Sequence, residues 1–234
     1  MAYTSVYDIM TGKDDYTGLM SGLEAYTSDY FDTIEQLEDE TISSYTYHVV
    51  SCKVGSAEIR FLTTSNTSSS AYNKVQLYDG NTTILNSNLS SYGSNAGAFR
   101  SIFIMSSGIV LSTFSGVNPG SNSGMSTFWL LKDSNGKAQI VYLPIGTSTN
   151  QQYLYSVHED GGNTKYYFSG YTNDSGQIIA TPMATLQGIC ANAYLVNVRP
   201  FYNNAGPFEL TVDGDTYFSM QYNVILLKTE QGTG

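Results

Sequence analysis

Two histidines, His48 and His158, are the only imidazoles this 234-residue chain has for moving protons. His158-Glu159-Asp160 runs directly into Gly161-Gly162, a turn signal. Three consecutive turn residues diverge rather than aim at one reacting atom. His48 lies within Tyr47-His48-Val49-Val50 and suits a half-exposed strand position. Glycoside hydrolysis needs two carboxyl groups facing each other across about 5–10 Å. The body offers Glu58, Glu159, Asp160, Asp174, Glu209, Asp213 and Asp215, and spacing does not say which of them converge. Asp213-x-Asp215 and Asp79-x-Asn81 present alternating oxygens, as calcium loops do, but neither has the full loop with its distal Glu. Turn chemistry accounts for both. Cys52 and Cys190 show no CxxC and no metal-ligand spacing. They read as small buried thiols of a protein made in a reducing cytoplasm, with a disulfide as the alternative. No nucleophile elbow, zinc-protease, Walker or dinucleotide pattern occurs. The expectation is a non-enzyme with no catalytic residues, no metal and no cofactor.

From residue 46 onward the apolar period is two, and turn signals separate short segments. Val75–Tyr78 runs into Asp79-Gly80-Asn81 and on to Thr82–Leu85. Thr127–Lys132 and Lys137–Leu143 flank Asp133-Ser134-Asn135-Gly136, and Phe208–Val212 and Asp215–Met220 flank Asp213-Gly214. Each is a hairpin signal, because glycine accepts the positive φ of primed turns. Further strands are predicted at Tyr47–Val54, Glu58–Thr63, Ser101–Met105, Ile109–Phe114, Tyr153–Val157, Tyr166–Tyr171, Ile178–Ala180, Tyr194–Val198 and Val224–Lys228. The pattern predicts a mainly β protein, an antiparallel β-sandwich (jelly-roll-like) or barrel preceded by a short α-helical N-terminal segment. Ser65–Ala71 and Ser115–Met125 read as surface loops.

The segment ahead of this body is different. Residues 1–40 hold ten of the twenty acids and one base, Lys13, so nine of the ten net negative charges sit there. Leu19, Leu23, Tyr26, Tyr30, Ile34 and Leu37 recur at spacings of three and four, the period of one helical face. Glu24, Asp29, Asp32, Glu35 and Glu38 fall opposite. Asp14, Asp15 or Thr17 could cap a helix start, Gly18 and Gly22 weaken its early part, and Ser28-Asp29 offers a second cap. One helix cannot bury its own stripe, which must pack on the body of its own chain, on copies of itself or on another protein; the last two make these six apolar residues a candidate assembly face. The division is residues 1–45, an acidic helical attachment or oligomerisation segment, and 46–234, the β-sandwich body.

Charged residues are 13% of the chain and hydrophobic residues 41%, which favours a folded, weakly charged body over disorder. A net charge of −10 without clustered Lys or Arg argues against nucleic-acid binding. Apolar runs such as Ile102–Met105 fall far short of the roughly 20 residues a membrane helix needs. No basic and apolar leader pattern is visible.

The opening Tyr3-Thr4-Ser5-Val6-Tyr7-Asp8-Ile9-Met10-Thr11-Gly12, the following Tyr16-Thr17-Gly18-Leu19-Met20-Ser21-Gly22-Leu23 and the later Phe208–Tyr217 stretch resemble a tailed-bacteriophage virion protein of the gut Firmicutes phage type. The resemblance covers the plan of a short attachment segment before a β-rich body, and carries no catalytic residues. It implies synthesis in the host cytoplasm, a place in the virion as a homo-oligomer, and other virion proteins of capsid, neck or tail as partners. Capsid decoration, a head fibre or a tail accessory protein is the expected role. The alternative is a receptor-binding tail-fibre or baseplate module that recognises a host surface glycan, with Ser115–Met125 and Tyr166-Tyr167-Phe168 as its surface.

Overall fold

The computed structural model describes residues 5–66, 72–89, 99, 101–105, 107–112, 126–133, 135–143, 151–169, 180–182, 193–196, 208–212, 214–219 and 225–230. In chain order the elements are β1 (Ser5–Asp8), α1 (Tyr16–Thr27), β2 (Thr33–Ile42), β3 (Tyr45–Val54), β4 (Ala57–Thr63), β5 (Lys74–Asp79), β6 (Thr82–Asn88), β7 (Ser101–Met105), β8 (Gly108–Ser112), β9 (Thr127–Lys132), β10 (Ala138–Leu143), β11 (Gln151–His158), β12 (Asn163–Ser169), β13 (Ala180–Pro182), β14 (Ala193–Val196), β15 (Phe208–Val212), β16 (Asp215–Ser219) and β17 (Ile225–Glu230). The fold is mainly antiparallel β with one short helix near the N-terminus.

Two sheets make the sandwich. One is a meander, β2-β3-β4-β5-β6, and the other runs β1-β7-β8-β9-β10-β11-β12. Alternation along each strand selects the inward set. Val50, Cys52, Ile59, Phe61, Val75 and Leu77 of the five-stranded sheet share one core with Ile102, Ile109, Leu111, Phe128, Leu130, Ile140 and Val157 of the seven-stranded sheet. Phe61, Phe99 and Phe128 meet edge-on at its centre, with ring centroids 5.1–5.4 Å apart, a geometry aromatic quadrupoles favour.

A second five-stranded sheet, β13-β14-β17-β16-β15, follows in the C-terminal part. Its fully buried Phe218 meets Phe103 and Trp129 at 5.6 and 6.2 Å. Those two residues alternate with the core-facing Ile102, Phe128 and Leu130 and so stand on the opposite face of the seven-stranded sheet. That sheet is therefore covered on both sides. This is why Gly108–Ser112 and Ala138–Leu143 are buried throughout and read as continuous apolar runs rather than alternating ones.

The predicted hairpins around Asp79-Gly80, Asp133–Gly136 and Asp213-Gly214 are formed by the pairs β5–β6, β9–β10 and β15–β16. The acidic segment departs from its predicted form. Helix α1 stops at Thr27, and Ser28, expected as a second N-cap, is its C-cap. Residues 33–42 are a ten-residue strand on the outer edge of the five-stranded sheet. Residues 5–8 are also a strand, paired with β7. Residues 67–71 of the Ser/Thr/Asn stretch, the Ser115–Met125 loop, Asp174, Cys190 and Asp213 lie outside the described residues.

Candidate functional site

The six residues of the candidate assembly face are divided among three environments. Leu19 and Leu23 are buried in the chain's own core beside Ile9 and Met10. Tyr26, Tyr30 and Ile34 pack, half-buried, around the same core. Leu37 lies on the other face of the five-stranded sheet with Tyr47, Val49 and Leu62. The reason is local. A Cβ on Gly18 would lie 2.4 Å from Ile9 O, and one on Gly22 would lie 2.5 Å from Ile9 Cγ2. The two glycines that weaken the helix in isolation are what let the incoming chain lie against it. The Asp15 carboxylate fixes that entry by accepting from Gly18 N, Thr11 N and Thr11 Oγ1, each at 2.9 Å. The bond from the Thr11 amide holds its carboxyl below the usual range.

Several acids of the segment serve the fold. Asp8 accepts from the Ser101 hydroxyl, Asp32 from Gly55 N at 2.9 Å, and Asp39 lies 3.0 Å from His48 Nδ1. His48 also meets the Tyr16 ring at 4.3 Å between centroids. Glu24, Asp29, Glu35 and Glu38 are exposed. The charged side chains of α1 and β2 are thus all acidic, one on the helix and the rest on the strand, and the segment's apolar side belongs to the body.

A second constellation gathers the turn residues read from the sequence. At one end of the sandwich Asp79 Oδ2 accepts from Gly162 N at 3.0 Å and from Asn163 Nδ2 at 3.1 Å. Its Oδ1 lies 3.1 Å from the Ser56 hydroxyl, which is also 3.2 Å from His158 O. Glu159 accepts from Lys137 Nζ and from Ala138 N, both at 2.7 Å, and its carbonyl accepts from Ser56 N at 2.9 Å. These bonds, from Asn163 first for Asp79 and from Lys137 first for Glu159, hold both carboxyls below the usual range. Gly55 touches this lattice closely: its φ is +53°, and a Cβ there would lie 2.2 Å from Glu159 O. Asp79 and Glu159 therefore bolt the β3–β4 and β5–β6 turns of one sheet to the β11–β12 turn of the other. Asp160 stays exposed, 3.5 Å from Lys137 Nζ.

Glu58 sits elsewhere, on the outward face of the five-stranded sheet. Burial pushes its carboxyl up, but bonds from Arg60 and from Ser51 Oγ (2.9 Å) outweigh that and leave it below the usual range. The Arg60 guanidinium lies 4.5 Å from the Tyr78 ring centre, and Tyr78 donates to Gln76 Oε1 at 2.8 Å. The β2 bulge between Leu37 and Glu40 shifts the register, which puts Glu40 opposite Tyr47 on this face, 4.0 Å from Arg60. Sequence reasoning missed Ser56, Lys137, Arg60 and Tyr78. Only the Gly161-Gly162 pair after three polar residues marked one end of the lattice.

Cys52 is a free, fully buried thiol, and burial pushes its ionisation up. Asp215 is half-buried in β16, and for Glu209, Tyr166, Tyr167 and Phe168 only the backbone is described. Among the described residues no group of three or more His, Cys, Asp or Glu could hold a metal, and no helix is long and apolar enough to cross a membrane. No protein-family model, curated protein or solved structure matches this chain.

Proposed function

We propose that the protein is a structural component of a tailed-phage particle, carried in many copies, with its β body presented from the particle and its N-terminal segment turned toward a base-bearing neighbour. One observation carries this reading. The N-terminal segment uses its apolar side within its own body, and every charged side chain from Asp14 to Ile42 is acidic. Attachment would then be polar and electrostatic, through the outer surface of α1 and the free edge of β2.

The test follows from the fold. Deleting residues 1–40 would strip Ile9, Met10, Leu19, Leu23 and Phe31 from the core, so a truncation confuses docking with folding. Substituting Glu24, Asp29, Glu35 and Glu38 by Lys leaves the core intact. The quadruple variant should keep the native circular dichroism and melting behaviour and be missing from purified particles. Incorporation at the native level would overturn the proposal.

A second reading, recognition of a host surface glycan, is favoured by the Arg60–Tyr78 stack beside Glu58 and Gln76, which sets an aromatic face among hydrogen-bonding groups. Loss of host cell-wall binding on Tyr78→Ala would support it, and no binding by the native chain would remove it.

A further inference from the structure

Among the described residues five buried side-chain polar atoms have no hydrogen-bond partner, and three of them occupy neighbouring positions: Gln139 Oε1 on β10, Ser156 Oγ and His158 Nε2 on β11. Gln139 and His158 are opposed across the ladder, and Ser156 stands opposite Val141. Ala138, Ile140 and Val157 alternate with them and enter the sandwich core. The three polar side chains therefore share the other face of the central sheet, the one that carries Trp129, which Phe218 covers farther along.

Gln139 Nε2 and His158 Nδ1 are 2.8 Å apart. When the amide nitrogen donates, the imidazole carries its proton on Nε2. The unpartnered set is then an N–H, a carbonyl oxygen and a hydroxyl. With the amide turned over, Nδ1–H donates to the amide oxygen. The set becomes an imidazole lone pair, an amide N–H and the hydroxyl. Both arrangements leave a donor, an acceptor and a group that can be either. Leaving such groups bare forfeits their hydration without replacement. An anion has no proton for the acceptor, a bare cation has no lone pair for the donor, and an apolar group serves neither. Water serves both, and buried water commonly makes about three such bonds.

We infer that this seam is an internal hydration site, where ordered water bridges His158 Nε2 to Gln139 and Ser156 on the face of the central sheet turned away from the sandwich core. Burial holds the His158 imidazole below its usual range against the raising influence of Asp133, Asp79 and Asp160. The neutral ring is the form that water satisfies without stranding a charge.

A high-resolution crystal structure of the full chain tests the inference. Water density within hydrogen-bonding distance of His158 Nε2 and of Gln139 or Ser156 is the expected result. A metal ion, an anion, a protein group on these atoms or a dry seam overturns it. In solution, magnetic relaxation dispersion of water should show a long-lived internal contribution. That contribution should fall in the triple variant Gln139→Leu, Ser156→Ala, His158→Leu. Replacing all partners together by apolar groups can be nearly neutral for stability, so the variant should stay folded, as its melting curve would verify. Equal dispersion from native and folded variant overturns the site.

Discussion

Residues 16–27 and 33–42 lie on one continuous run of apolar residues spaced three to four apart, Leu19 to Leu37, yet one is a helix and the other a strand. In the helix, Leu19 and Leu23 stack on one face and are fully buried. In the strand, Ile34 and Leu37 are three apart and so fall on opposite faces of the sheet, one toward the sandwich core and one toward Tyr47 and Val49. The bulge after Leu37 then brings Ile42, five residues on, back to Leu37's side. The difference teaches that an apolar spacing of three to four does not by itself define a helix. Partners on both faces of an edge strand produce the same pattern.

The largest test of this contrast is truncation of an apolar side chain in each half. Leu23→Ala empties a fully buried site and should cost about 2–5 kcal/mol in chemical denaturation. Leu37→Ala, half-exposed, should cost no more than about 1 kcal/mol. Equal costs would mean that the two halves are buried alike. Next is Gly18→Ala. Helix propensity alone predicts a gain of about 1 kcal/mol. The contact with Ile9 O instead predicts a net loss of about 1–3 kcal/mol, and a gain would show that Ile9 does not lie against α1.

Asp15→Ala removes the cap and should cost about 1 kcal/mol at neutral pH. The folded carboxyl ionises below its ordinary value of 3.8, so this contribution is complete above that value. It is lost as pH falls through the lower folded value. The native and variant stabilities should therefore converge in acid, and a constant gap across the titration would remove the charge from the explanation. The smallest effect is at the strand's far end. Ser43 and Ser44, between β2 and β3, have φ of 50° and 72°, a left-handed conformation that costs an L-residue about 1–2 kcal/mol. Ser44→Gly should raise the melting temperature, gaining up to about 1 kcal/mol once glycine's own entropy is counted. A loss would mean that the serine side chain holds the turn.

Most of the β body was legible because its strands are bracketed by Asp-Gly and Asn-Gly turns, and pairs such as Thr127–Lys132 with Ala138–Leu143 fall where the alternation puts them. Strand β1 was not, since four residues carry no period. Strand β2 was hidden by its acids, which belong to an exposed edge rather than to a helix. Its Thr33-Ile34 and Thr41-Ile42 pairs were the β-branched hint. The turns that supply the lattice around Asp79 were legible, but their convergence was not. Ser56, Asp79 and Gly162 come from three separate hairpins, and only the docking of two sheets brings them within hydrogen-bonding reach. For the same reason the polar seam of Gln139, Ser156 and His158 became visible only once strand register had set its members side by side.

The pairing of β1 with β7 fixes an order of assembly. Strands β2 to β6 form a meander of neighbouring hairpins, whose local contacts can close while later residues are still being synthesised. Ser5–Asp8 must wait for Ser101–Met105 before it has a ladder to join. The Ile9–α1 contact that follows it in sequence can form early, so Ser5–Asp8 are held near their destination but unpaired. Strand β1, the earliest of the seven-stranded sheet in chain order, can settle only once β7 has been made, so that edge of the sheet is sealed late.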